Sequence, residues 1–83
     1  MPFYMDIHNK VDGLTAKAVA DAHKKDLEVQ DKHGVKYHKY WYNESEGKVF
    51  CLSEAPNKEA AIAVHREAHG LVPDEIIEVE AGE

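Results

Sequence analysis

Residues 35–54 read VKYHKYWYNESEGKVFCLSE. Two runs rich in aromatic and β-branched side chains, 35–43 and 48–54, flank the short polar turn ESEG, which closes on Gly47. That pattern predicts an antiparallel hairpin. Its place in the chain decides the fold, because helical sequence lies on both sides of it. Upstream, Thr15 is a natural N-cap for a helix over about 16–33. Ala18, Ala22 and Val29 share one stripe of it, Leu14 lies close by, and Gly34 supplies the stop. Downstream, Asn57 caps the helical segment KEAAIAVHREAH, and Gly70 stops it. Its inner stripe is Ala61, Val64, His65 and Ala68.

The two ends complete the order. Residues 2–8, PFYMDIH, alternate: Phe3, Met5 and Ile7 point one way, Tyr4, Asp6 and His8 the other. After LVPD, the segment EIIEVE forms a last short strand. The predicted order is β-α-β-β-α-β, the ferredoxin-like α+β sandwich, as one domain over residues 1–83. A four-stranded antiparallel sheet then carries both helices on one face. The strand around Trp41 makes the other face too apolar to leave wet, so a second subunit is expected there and the assembly is expected to be a homodimer.

Size and charge narrow the partners. A chain of 83 residues buries a limited share of its surface, which also favours pairing. The formal charge of −6 repels phosphate backbones and anionic lipid, so neither nucleic acid nor a membrane surface is expected as a partner, and cations are favoured. No apolar run approaches the roughly 18 residues of a membrane helix. MPFYMDIHNK lacks a basic stretch followed by an apolar one, and the single Cys51 has no internal disulfide partner. A cytoplasmic chain with a reduced thiol is expected.

Polar residues interrupt the stripes that should be apolar. Beside the Ala18–Ala22–Val29 stripe of the first helix runs a second, with Val19, His23, Asp26 and Gln30. It is either a polar shoulder, with His23 and Asp26 as an i, i+3 pair, or one edge of a site facing the sheet. The second helix carries His65 and His69 four apart on one face. In HREAH, Glu67 stands about 200° around the helix from His65. It therefore cannot act as general base at a metal held by the two histidines, and zinc-protease chemistry is disfavoured. Asp6 and His8 add an acid and an imidazole from the first strand. Cys51 is a small hydrophobe unless imidazoles converge on it. Glu54 closes its strand. Together these residues offer nitrogen, oxygen and one sulfur donor. A closed structural zinc site wants several thiolates, so an exchangeable divalent transition metal fits better.

MDIH (5–8), the AH..DL.VQ pattern (22–30), VFCLSEAP (49–56), VHREAHG (64–70) and DEI (74–76) resemble a family of small bacterial nickel-binding, nickel-responsive proteins. The similarity runs over nearly the whole chain. It implies a dimeric ferredoxin-like fold that binds nickel through side chains, with no established turnover. Carried onto this sequence, the candidate ligands are Asp6, His8, His23, Asp26, Cys51, Glu54, His65 and His69. His33 and His38 fall outside the matched words and are expected at the surface. Two other functions stand beside metal binding. One is a small enzyme, with a His/Asp acid–base pocket between helices and sheet and Cys51 as a conceivable nucleophile. The other is a plain interaction module whose histidines titrate independently.

Overall fold

A computed structural model describes residues 1–82. Its elements follow the expected order: β1 (Phe3–His8), α1 (Ala16–Val29), a 3-10 turn (Gln30–His33), β2 (Lys36–Asn43), β3 (Lys48–Glu54), α2 (Lys58–Ala68) and β4 (Glu75–Val79). The four strands lie in the order β2-β3-β1-β4, all neighbours antiparallel, which is the ferredoxin-like arrangement.

Both helix caps are those the sequence suggests. Thr15 Oγ1 accepts from the Ala18 amide at 3.1 Å, and Asn57 Oδ1 from the Ala60 amide at 2.9 Å. The first helix is shorter than expected, because its last turn tightens into 3-10 geometry before Gly34 (φ +68°). The hairpin turn is tied to the loop after β1, where the Val11 amide donates to the Gly47 carbonyl at 2.8 Å. A side chain at Gly47 would meet the Val11 backbone at 3.2 Å, so both the left-handed turn and the close approach require glycine there.

Period-2 alternation sorts the sheet into two faces. Tyr4, Asp6 and His8 of β1 face the helices, with Val49, Cys51 and Ser53 of β3 beside them. Phe3, Met5 and Ile7 face away, in register with Glu54, Leu52 and Phe50. In β2 a register shift between Tyr37 and Lys39 changes the phase of the strand. Tyr37 and Tyr40 therefore both belong to the helix side, while Trp41 pairs with Phe50 on the outer side.

The first helix sits rotated from the expected direction. Its buried residues are Val19 and Asp26, whereas Ala18 is exposed and Ala22 and Val29 are half-buried. At about 100° per residue this turns the core stripe by roughly 70°. The stripe with the ionisable residues is thus the one that packs on the sheet. The second helix buries Ala61, Val64 and His65 as expected.

Candidate functional site

The largest fully buried side chains are His65, Val35, Val64, Asp6 and Ser53, so ionisable groups occupy the centre of the core. His65 is the hub. From α2 its Nδ1 reaches Asp26 Oδ1 of α1 at 2.9 Å, and its Nε2 lies 2.6 Å from Asp6 Oδ2 of β1. The second contact is an ion pair rather than an aligned hydrogen bond. Nε2, Asp6 Oδ1 and Ser53 Oγ are buried without a hydrogen-bond partner among the described residues. Coulomb attraction does not need that alignment, and a carboxylate on each side favours a charged ring. Burial alone would lower the His65 pKa, but Asp26, Asp6 and Cys51 outweigh it and raise it to about 11. His65 is an imidazolium between two carboxylates.

The surrounding groups complete this arrangement. The Tyr37 hydroxyl donates to Asp6 Oδ2 at 2.6 Å and lies 3.1 Å from the Ala61 carbonyl. His69 Nδ1 accepts from the Leu71 amide at 3.1 Å. Its Nε2 therefore carries the ring proton and donates to Asp26 Oδ1 at 3.0 Å. Burial opposes ionisation of Asp26, yet the hydrogen bonds from His65 and His69 win and hold its carboxyl below the ordinary range. His8 packs edge-on to His65, ring centres 5.3 Å apart, and burial followed by the His65 charge lowers its pKa. Burial also raises the Cys51 thiol. That removes the condition for Cys51 to act as a nucleophile, since no net influence favours the thiolate.

Six of the eight candidate residues come together. His8, Cys51 and His65 offer donor atoms within 4.8 Å of one another, as do Asp26, His65 and His69, and Asp6 touches His65. His23 stands at the rim, its ring 4.9 Å from that of Tyr40 and its pKa lowered chiefly by burial. Glu54 does not join them. It follows Ser53 by one residue, so alternation turns it to the other face, where Oε1 meets His38 Nε2 at 2.7 Å. The polar-shoulder alternative for α1 fails as well, because Asp26 points inward to His65 and His69. Glu67 is on the far side of α2, paired with Lys32 and His33, as its position on the helix required. His8 and His65 share one buried cluster, and the charge of His65 acts on His8, which counts against a module of independent histidines. Tyr37, through its bond to Asp6, belongs to the cluster and is absent from the sequence candidates, as is the buried Ser53 in register with it. An inward tyrosine beside an inward aspartate could have been read from the strand pattern only with the register shift known.

A cavity of about 70 Å³ opens over the cluster between α1 and the sheet. Asp26, His65, His69, His8, His23 and Cys51 line it together with apolar side chains.

Fold and interior define the class: a ferredoxin-like sandwich whose core is a cluster of histidines and carboxylates. The chain belongs to the SCO4226-like family of nickel-responsive proteins, whose family model matches residues 4–79. The crystal structure of SCO4226 from Streptomyces coelicolor A3(2) superposes with a TM-score of 0.90 at 36% identity, covering 98% of this chain and 99% of that one. No curated protein sequence matches the chain. Among the described residues, no helix is long and apolar enough to cross a membrane.

Proposed function

We propose that this protein answers nickel, or a similar divalent transition metal, by binding it reversibly as a homodimer, as a buffer or sensor. The carrying observation is a triangle of donor atoms. Asp26 Oδ1, His65 Nδ1 and His69 Nε2 are separated by 2.9, 3.0 and 3.2 Å. Neighbouring donors on a six-coordinate ion with bonds of roughly 2.1 Å stand about 3 Å apart, so the set fits. Two imidazoles and one carboxylate suit such an ion. Two protons now hold the triangle together, and an ion would take their place. Asp6 lies 2.6 Å from the far nitrogen of His65, near enough to steady a ligating histidine through its charge. When bound, the metal supplies a local positive charge that both carboxylates can compensate. The outer sheet face supports the dimer. Phe3, Trp41 and Ile77 are 38%, 45% and 46% exposed there, beside Met5, Phe50 and Leu52. A short chain gains most from covering such a patch with its own copy.

Calorimetric titration with nickel tests this assignment. Asp26→Asn and His69→Ala are expected to weaken uptake at least tenfold while His38→Ala leaves it unchanged. Retained uptake in the first pair, with loss in His38→Ala, would move the site to the outer face.

The cavity favours a second function, a small acid–base enzyme with His65 as the proton-bearing group. Turnover of no compound by metal-free protein in which the cavity is demonstrably occupied would end it.

A further inference from the structure

The cavity has a composition that metal storage alone does not call for. Val11, Leu14, Val19, Ala22, Val49 and Leu71 form most of its wall, with the ionisable cluster at one end. A bare ion site needs no apolar chamber, and an unfilled one is a cost to a chain that buries so little. The polar end also has unused hydrogen-bonding capacity. Both histidine contacts to Asp26 fall on Oδ1, and no donor among the described residues reaches Oδ2. His8 is 93% buried, since only 7% of it is exposed, and none of the described hydrogen bonds involves its ring.

We propose that this cavity is a binding site for a compact, uncharged alcohol: an apolar body of about two carbons with a hydroxyl at the cluster end. Size sets the body, because an apolar cavity of about 150 Å³ admits the six carbons of benzene, and this one, about half that, admits about three non-hydrogen atoms. Charge sets the head. Asp6 and Asp26 against one His65 cation leave the cluster net negative, which opposes an anion. The apolar wall penalises an ammonium group that cannot remain hydrated. A hydroxyl can donate to Asp26 Oδ2 and accept from a ring N–H, matching both unused partners. The alcohol requires the cavity and not an ion, so the site is tested on metal-free protein, where the cluster keeps this charge.

The test uses full-length protein kept metal-free with EDTA, titrated with ethanol and followed by amide NMR. Saturable shifts at Val19, Ala22, Val49 and Leu71 in the millimolar range are expected, at least tenfold stronger than with acetate or ethylamine. Ala22→Leu should abolish them by filling the chamber. Ala18→Leu, at an exposed lining position, should weaken them and serves if the first variant does not fold. Nickel titration of the same variants is expected to be unchanged, which separates this site from the metal reading. Non-saturable shifts, equal response to acetate, or undiminished binding by the folded variants would overturn the proposal.

Discussion

The two faces of one sheet invert the usual rule. On the helix side, strand β1 buries Asp6 and His8; on the other it presents Phe3, Met5 and Ile7. Among the described residues, the fully buried apolar core holds Val, Ala, Tyr and Cys but no Leu, Ile or Phe. The large apolar residues collect outside, along the row Trp41–Phe50–Ile7 and beside it. A fold could be made more stable by exchanging the two sets, since buried ion pairs rarely outperform packed hydrocarbon. The inner face is therefore organised around charge, while the outer face leaves its large apolar side chains, Phe3, Trp41 and Ile77 among them, open to solvent.

The contrast can be broken most severely at His65. Replacing it by Leu leaves Asp6 and Asp26 buried with no counter-charge, and is expected to cost roughly 3–5 kcal/mol. Urea unfolding measures it, and a cost under about 1 kcal/mol would mean that the inner face is not held by charge. Alkali should mimic that loss more gently. Because folding raises the His65 pKa from 6.5 to about 11, its contribution is complete below pH 6.5 and disappears as pH rises towards 11. Asp26 works in the opposite direction: its lowered pKa gives stability above pH 3.8 that is lost as acid protonates it. The alkaline decline should be steeper in the parent than in His65→Gln.

On the outer face, Phe50→Lys combined with Ile77→Lys should cost about 2 kcal/mol or more of self-association. Sedimentation equilibrium would then show monomer, while nickel titration stays as in the parent. If the double variant remains dimeric, the copies meet elsewhere. Smaller again is Tyr37→Phe, which removes one donor from Asp6 and should cost about 1–2 kcal/mol. Thr15→Ala touches neither face. It loses only a helix cap, about 1 kcal/mol, and provides the scale for the others.

The architecture was legible because caps, glycine stops and alternation are local signals. Thr15, Asn57 and Gly34 act where they stand, and the hairpin reads from its own residues. The rotation of α1 was not legible. Alanine counts as apolar in a periodicity, so Ala18 and Ala22 pulled the expected stripe away from Asp26. What turns Asp26 inward is a cation 39 positions later, His65, which no window on the helix contains. The register shift in β2 is likewise a relation between strands, and it alone decides that Tyr37 and Tyr40 share a face. Glu54 was misplaced for a simpler reason: its matched word does not state which way each residue points, and its neighbour Ser53 does.

His69 has a consequence for the segment that follows α2. A neutral imidazole has one proton to distribute, and the Leu71 amide claims the lone pair of Nδ1. For Nε2 to give its own lone pair to an ion, the proton must move to Nδ1, where it would face the Leu71 N–H head-on. The ring cannot serve both masters. An ion at the proposed triangle would thereby be coupled to the exposed Leu71–Val72 segment, and the amide resonance of a single surface leucine should report whether the triangle is filled.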